Sequence, residues 1–106
     1  MKYSPPEASH APRYTGIRTF ARAPHVTDPT GVDAAIVGVP FDTATSMRPG
    51  ARFGPAGIRD ASLLLRPYNP VQDTMVFDLS IADLGDLDTT PGNAARTAAQ
   101  IAAQLE

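Results

Sequence analysis

The residues whose chemistry is easiest to interpret lie in a short segment between positions 42 and 53. This segment contains Arg48 and Arg52, and it combines fixed backbone angles at proline with conformational freedom at glycine. Such a composition predicts a loop of defined shape, and guanidinium groups form paired hydrogen bonds with carboxylates. Two roles are therefore open to these arginines: binding a substrate carboxylate, or pairing with the acidic residues of segment 83–88. Structural pairing is the favoured interpretation.

Neither the histidines nor the aspartates have the spacing of a metal site. His10 and His25 lie far apart in a proline-rich segment, without carboxylates at ligand spacing. Asp83, Asp86 and Asp88 follow an apolar run, where aspartates typically cap turns or pair with arginine. We predict no metal ligand here. The glycine patterns of P-loop and dinucleotide-binding proteins are also absent, so a nucleotide-binding role is not favoured.

The elements that position the loop are predicted by apolar patterns. Residues 34–39 form a continuous apolar run, typical of a central parallel strand that is covered on both faces. The loop thus follows the carboxyl end of a strand, where ligands bind in open α/β sheets. A helix of about 11 residues should start at Gly54-Pro55 and end before Pro67. It should have one apolar face. The residues of that face are Ile58, Ala61, Ser62 and Leu65.

A second strand after this helix predicts a strand–helix–strand crossover between parallel strands, and a second helix completes the pattern. The strand covers residues 77–84 and is closed by a turn at residues 85–86. The helix begins at Thr90-Pro91 and runs for about four turns. Its apolar stripe consists of Ala94, Ala98, Ile101, Ala102 and Leu105. No strand follows this helix, and the short sheet would keep an unpaired edge, so the architecture is expected to be that of a truncated α/β domain.

The first 30 residues contain five prolines, which disfavour regular structure. We expect residues 1–30 to form an irregular arm that lies against a protein surface, because the arm carries bulky groups that need cover.

Length, charge and apolar runs argue against nucleic-acid binding and against a membrane protein. The length of 106 residues suits one domain or part of one, and the net charge of −2 provides no basic field for nucleic acid. No apolar run approaches the ~20 residues that span a bilayer, and the N-terminus lacks the apolar core of a signal peptide. No cysteine is present. The expected location is the cytoplasm, without nucleic-acid or membrane partners.

Several segments, in this order, resemble the ureohydrolase family of arginases and agmatinases. They are G-V-P-F-D at 38–42, R-P-G-A-R-F-G-P at 48–55, I-R at 58–59, Y-N-P at 68–70 and D-L-G-D at 83–86. The second segment is highly specific and is more similar to agmatinases than to arginases. Ala44 stands where many relatives have glycine, so the resemblance does not identify which guanidino compound is the substrate.

The resemblance implies an arginase-like three-layer α/β fold with a parallel sheet, of which this chain is the N-terminal part, truncated. Residues 1–30 would be the arm, and residues 31–106 the first β-α-β-α segment of an incomplete ureohydrolase domain. Complete members of the family are implied to be homo-oligomers, either trimers or hexamers.

The resemblance also implies a reaction, the hydrolysis of a guanidino compound to urea and an amine, as in polyamine metabolism. Agmatine is the first expected substrate and guanidinobutyrate the next. Two manganese ions would activate the attacking hydroxide in the full-length enzyme, but the family's metal-binding motifs do not occur in this sequence. This chain is therefore expected to bind no metal, to contain no catalytic residue and to be inactive alone. Its implied contribution is a substrate loop formed by Asp42, Thr45, Ser46, Arg48 and Arg52.

Two alternatives remain open. In the first, the chain is a non-catalytic binding or assembly module that docks to full-length relatives through the arm and the open sheet edge. In the second, the chain is an unrelated α/β domain that binds an anionic ligand at the loop of residues 48–54.

Overall fold

A computed structural model describes residues 2–106; Met1, the first residue of the predicted arm, lies outside the described residues. Within this range the chain forms two helices and four strands, two of them only two residues long. In chain order they are β1 (Ala34–Gly38), α1 (Gly54–Ser62), β2 (Tyr68–Asn69), β3 (Thr74–Met75), β4 (Ile81–Asp86) and α2 (Ala94–Gln104). Single 3-10 turns cover Phe20–Arg22, Ala51–Phe53 and Val76–Asp78.

The main sheet is a parallel pair of β1 and β4, joined by the predicted crossover through α1. Ala34 lies opposite Ile81, and Gly38 lies opposite Asp86. The register shifts between these points, because β4 contains one extra residue in a bulge at Gly85, whose φ is +81°. The predicted turn at residues 85–86 is therefore wrong: the bulge lets the strand continue to Asp86. The predicted start of this strand at residue 77 is also wrong, since a 3-10 turn occupies that position.

The arm supplies the backbone partner on the other side of β4. The Asp83 amide donates to the Pro24 carbonyl at 2.9 Å, and the Val26 amide donates to the Asp83 carbonyl at 3.1 Å. Among residues 2–106, β4 is thus the strand with partners on both sides. β1 has β4 alone, and its residues are exposed or half-buried up to Val37. The prediction that β1 is central and covered on both faces is not met within these residues, whereas the arm does lie against a protein surface.

Both helices differ from their predicted boundaries. α1 has nine residues with proline in its first turn, and its buried side chains are Arg59 and Ser62, while Ile58 remains 59% exposed. α2 begins after Asn93, whose side chain accepts a hydrogen bond from the Arg96 amide at 2.9 Å. This side-chain acceptor satisfies a free amide of the first turn, so the helix starts later than predicted and has 11 residues, or about three turns.

The apolar core of the described residues is small. Its buried members are Ala23, Ile81 and Ala82, and many large apolar side chains remain exposed. The accessible surface is 7329 Å², compared with about 5,700 Å² for a compact monomer of this mass. The radius of gyration is 15.6 Å, compared with about 13 Å for a compact domain of this length. Leu105 of the predicted α2 stripe is among the exposed apolar side chains, at 60% exposure.

No helix within residues 2–106 has both the length and the apolar character that crossing a membrane requires.

Candidate functional site

The loop between β1 and α1 is closed by the carboxylate of Asp42. One carboxylate oxygen accepts the Gly50 amide at 2.6 Å and the Arg52 amide at 3.3 Å. The other accepts Nε of Arg52 at 2.8 Å. The Asp42 side chain is 1% exposed, while that of Arg52 is 48% exposed. Asp42 therefore joins the two ends of the loop from a buried position.

Hydrogen bonding keeps the Asp42 carboxylate charged. The bond from the Gly50 amide lowers the pKa of Asp42 below its ordinary value; burial opposes this shift, and the bonds and charge of Arg52 add to it. Because both carboxylate oxygens already accept hydrogen bonds, Asp42 is suited to shaping the loop and not to accepting a proton from a substrate.

The other predicted loop residues divide into two groups. The Thr45 hydroxyl donates to the Asp42 carbonyl at 2.6 Å, and the preceding Ala44 has φ of +68°. Ser46 and Arg48 are exposed, and their side chains form no hydrogen bond or ion pair with any of residues 2–106. The structure thus brings Asp42, Thr45 and Arg52 together and leaves Ser46 and Arg48 facing solvent.

The favoured pairing of Arg48 and Arg52 with the acidic segment is wrong, because a third arginine takes that place. Arg59 of α1 donates from Nε and Nη2 to the two oxygens of Asp83, at 2.9 and 3.0 Å. Its Nη1 donates to Asp86 at 2.6 Å. The Asp83 side chain is fully buried and that of Arg59 is 10% exposed, so the bidentate pair lies inside the protein.

Arg59, Asp83 and Asp86 form the Arg59 cluster, and their charges stabilise one another. Burial by itself would raise the pKa of Asp83, but the bonds from Arg59 and from the amides of Phe20 and Gly85 outweigh it, and the pKa falls below its ordinary value. The hydrogen bond to Asp83 likewise raises the pKa of Arg59, opposed by burial and assisted by Asp86. Both partners are therefore charged at neutral pH.

The same cluster holds the arm against the helix and the sheet. The Phe20 amide donates to Asp83 at 2.8 Å, and the Ala21 amide donates to the Ser62 hydroxyl at 2.7 Å. Gly38 lies so close to Asp86 that a Cβ at position 38 would overlap the Asp86 carboxylate. A side chain at position 38 would therefore displace the Asp86 carboxylate from its bond with Arg59.

Sequence reasoning did not assign a role to Arg59, although a signal was available. Pro55, Arg59 and Ser62 recur at helical spacing, so α1 presents an arginine and a serine on one face. A helix that crosses between parallel strands packs that face on the sheet, where Asp83 follows Ile81 and Ala82. An arginine on a sheet-facing helix position needs a carboxylate partner, and the strand supplies one.

The described residues do not fit a pair of manganese ions. No group of three or more histidine, cysteine, aspartate or glutamate side chains in residues 2–106 is arranged to hold a metal ion. His25 Nδ1 lies 3.1 Å from the Asp83 carbonyl, and Arg59 occupies the carboxylates of Asp83 and Asp86.

A small cleft lies between the loop and the start of α2. It has a volume of 60 Å³ and is lined by Pro40, Phe41, Asp42, Thr43, Arg52 and Pro91. The Gly92 amide donates to the Thr43 hydroxyl at 3.0 Å and joins the two segments. Small-molecule sites usually have volumes of about 300–1,000 Å³, so this cleft is too small to enclose a ligand by itself.

Known proteins resemble the chain in both sequence and fold. The chain is 46% identical over 89 residues to the guanidinobutyrase of Pseudomonas aeruginosa and 48% identical over 85 residues to the mitochondrial agmatinase of Gallus gallus. These matches cover 80% and 79% of this chain, but 28% and 25% of those proteins. The solved structure of proclavaminate amidino hydrolase from Streptomyces clavuligerus superposes with a TM-score of 0.83 at 38% identity.

That superposition covers 90% of this chain and 32% of the solved chain, so the chain spans about a quarter to a third of the length of these relatives. The described strands and helices therefore have an arginase-like α/β arrangement. The sequence model of the arginase family matches residues 32–106, which include every α-helix and β-strand described above. With most of its length matched in this way, the chain belongs to the arginase family.

Proposed function

We propose that this chain supplies scaffold and part of the pocket wall to an enzyme that hydrolyses a guanidino compound to urea and an amine. The observation that carries the proposal is the loop of residues 42–52, which Asp42 closes at the carboxyl end of β1 while Arg48 stays exposed. Membership of the arginase family supports the reaction class. In the same proposal, residues 1–30 are an arm and residues 31–106 the first β-α-β-α segment of the enzyme domain.

Within this function we place a guanidino acid before agmatine, which reverses the order that the sequence resemblance implied, because Arg48 is exposed. Guanidinobutyrate carries a carboxylate at the end away from its guanidino group, and agmatine carries an ammonium there. Arg48 is exposed and its guanidinium is paired with none of residues 2–106, so it would attract a carboxylate and repel an ammonium. The names of the relatives do not separate the two substrates, since the guanidinobutyrase and the agmatinase have nearly equal identity to this chain.

The chain's residues have binding and positioning roles in this proposal. Asp42 and Arg52 hold the loop in shape, Arg48 orients the substrate, and Arg59 with its two aspartates fixes α1 against the sheet. A pair of manganese ions bound outside the described residues would supply an activated hydroxide. Assembly into a trimer or hexamer and a cytoplasmic location belong to the same proposal; the exposed apolar surface supports the assembly.

The test is urea release by the protein purified at its native length, with agmatine and guanidinobutyrate as substrates. We expect urea from at least one of them and a loss of that activity with a manganese chelator. If neither compound nor any other guanidino acid yields urea, the proposed function is wrong.

The substitution Arg48→Ala tests the substrate preference in the same assay. We expect KM for guanidinobutyrate to rise by about tenfold, because one charge-assisted hydrogen bond is lost, while KM for agmatine stays unchanged or falls. Arg96→Ala, at an exposed position on α2, is the matched control. Equal changes of KM for both substrates would contradict the assigned role of Arg48.

A second candidate function is supported by the open edge of β1. Among residues 2–106 this edge has no strand partner, and the chain exposes more surface than a compact monomer does. Such a surface suits a non-catalytic assembly module that docks to full-length relatives. Sedimentation of the 106-residue chain, alone and mixed with a full-length relative, tests this candidate; a stable monomer that binds no relative would contradict it.

A further inference from the structure

A larger cavity lies between the arm and the segment that follows α1. Its volume is 340 Å³, and it shares no residue with the loop of residues 42–52 or with the Arg59 cluster. The arm contributes residues 4–8, Arg13, Ala21 and Arg22. The other wall consists of Leu63, Leu65, Arg66, Pro67, Met75, Phe77 and Asp78. The volume falls within the usual range of small-molecule sites.

Three arginines line this cavity: Arg13, Arg22 and Arg66. Arg22 donates from Nη2 to the carbonyl of Ala11, which holds its guanidinium in place. The guanidinium groups of Arg13 and Arg66 form no hydrogen bond or ion pair with any of residues 2–106. Neither guanidinium is paired with a carboxylate among these residues, so both have N–H donors available to an anion.

Two acidic residues line the same cavity, and neither neutralises these arginines. Glu7 lies 3.6 Å from His10 and accepts the Ser9 hydroxyl at 3.4 Å. Asp78 forms no ion pair with any residue from 2 to 106. Three positive groups against two negative ones leave the lining with a net positive charge, which suits a ligand with a single negative charge.

The rest of the lining is mainly apolar. Leu63, Leu65, Met75 and Phe77 belong to it, and Phe77 is half-buried. Apolar side chains with a few charged groups are the usual composition of a site that binds an amphipathic small molecule. The backbone of Ala21 and Arg22, at φ of 50° and 60°, is held in a left-handed conformation at the cavity wall. Strained backbone of this kind often occurs where a side chain must be aimed at a ligand.

We propose that this cavity binds a small monocarboxylate with an aliphatic or aromatic body. The carboxylate pairs with Arg13 and Arg66, since guanidinium groups form bidentate hydrogen bonds with carboxylates. The body of the ligand packs against Leu63, Met75 and Phe77. This site is separate from the proposed substrate loop, so its occupancy does not depend on guanidino hydrolysis.

Calorimetric titration of the native-length protein with octanoate tests the proposal, with octylamine and octanol as probes of equal chain length and different charge. We expect saturable binding of octanoate, weaker binding of octanol and none of octylamine. Arg66→Gln should weaken octanoate binding by about tenfold, because a charge-assisted hydrogen bond is removed. The exposed Arg96→Gln should leave it unchanged.

Two results would overturn the proposal: no saturable octanoate binding, or octanol binding as tightly as octanoate. The comparison of the three probes uses the unaltered protein, so it tests carboxylate binding even if Arg66→Gln fails to fold. Urea release, measured on the same samples, is independent of this result and separates failure of the carboxylate site from failure of the proposed hydrolysis.

Discussion

Arg59 links α1 to β4 through three side-chain hydrogen bonds. Its guanidinium joins Asp83 and Asp86 on β4, and Asp83 in turn accepts the Phe20 amide of the arm. Removing one partner of such a pair leaves a buried charge without compensation, which costs more than the pair itself contributes. At the scale of residues, the stability of this segment is expected to depend on this cluster more than on its few buried apolar side chains.

Replacing Arg59 with methionine tests this expectation. Arg59→Met leaves the buried Asp83 carboxylate without its guanidinium partner, so the free energy of unfolding in urea should fall by about 3 kcal/mol. Arg18→Met is the matched control, because Arg18 lies 3.6 Å from Asp60 at an exposed position, where ion pairs contribute less than about 1 kcal/mol. Equal losses in the two variants would refute the role given to Arg59.

Ala44 offers a second test at the residue scale. Its φ of +68° is unfavourable for a residue with a Cβ. Ala44→Gly removes that strain and adds backbone freedom to the unfolded chain, for an expected net stabilisation of about 0.5 kcal/mol. Ala61→Gly, in the regular α1 helix, should instead destabilise by about 1 kcal/mol. Thermal unfolding of both variants is the measurement, and a destabilised Ala44→Gly would contradict the strain argument.

At the scale of elements, the loop between β1 and α1 is ordered by one buried carboxylate. Asp42 binds the Gly50 amide and both the amide and side chain of Arg52, so it spans the loop. α1 begins directly after this closure, with proline in its first turn. The shape of the loop and the start of the helix therefore depend on each other.

Asp42→Asn should loosen this loop without unfolding the sheet. A neutral amide accepts a weaker hydrogen bond than a carboxylate, so we expect hydrogen exchange at the Gly50 amide to accelerate by about tenfold. Amides of β4 should keep their exchange rates. Asp28→Asn is the control, since Asp28 accepts from Thr30 in an exposed turn. Unchanged exchange at Gly50 would show that the loop is held by other contacts.

At the scale of the whole molecule, the free energy of unfolding is expected to fall in acid because buried carboxylates become protonated. The pKa of Asp83 in the folded protein lies below its ordinary value of 3.8. Its stabilising contribution is therefore complete above pH 3.8 and is lost as the pH falls through the lower folded pKa, since the unfolded chain binds the proton first. Stability should thus rise with pH across this acidic range.

Urea unfolding between about pH 6 and pH 2.5 measures this dependence. The unaltered protein should lose stability steeply below pH 3.8, whereas Asp83→Asn should be less stable near neutrality and lose less on acidification. Parallel pH profiles for the two proteins would mean that Asp83 does not carry the acid dependence.

Several features of the fold and site were predictable because they depend on local patterns. The apolar run of β1, the proline at the start of α1 and the rigid loop between them are encoded by adjacent residues. Their order is sufficient to predict a parallel crossover with a loop at the carboxyl end of a strand. The helix ends and the extent of β4 were less accurate, because a cap at Asn93 and a bulge at Gly85 override the apolar pattern.

The sequence by itself determined the family resemblance, the crossover and the position of the loop, because short-range propensity and a specific motif suffice for these. Only the tertiary structure decided which arginine meets which carboxylate. Arg59 reaches Asp83 across 24 positions and Arg52 reaches Asp42 across 10, and the arm pairs with β4 instead of a neighbouring strand. Such pairings depend on the distance and direction of side chains after folding, and a linear sequence with several arginines and aspartates allows many of them.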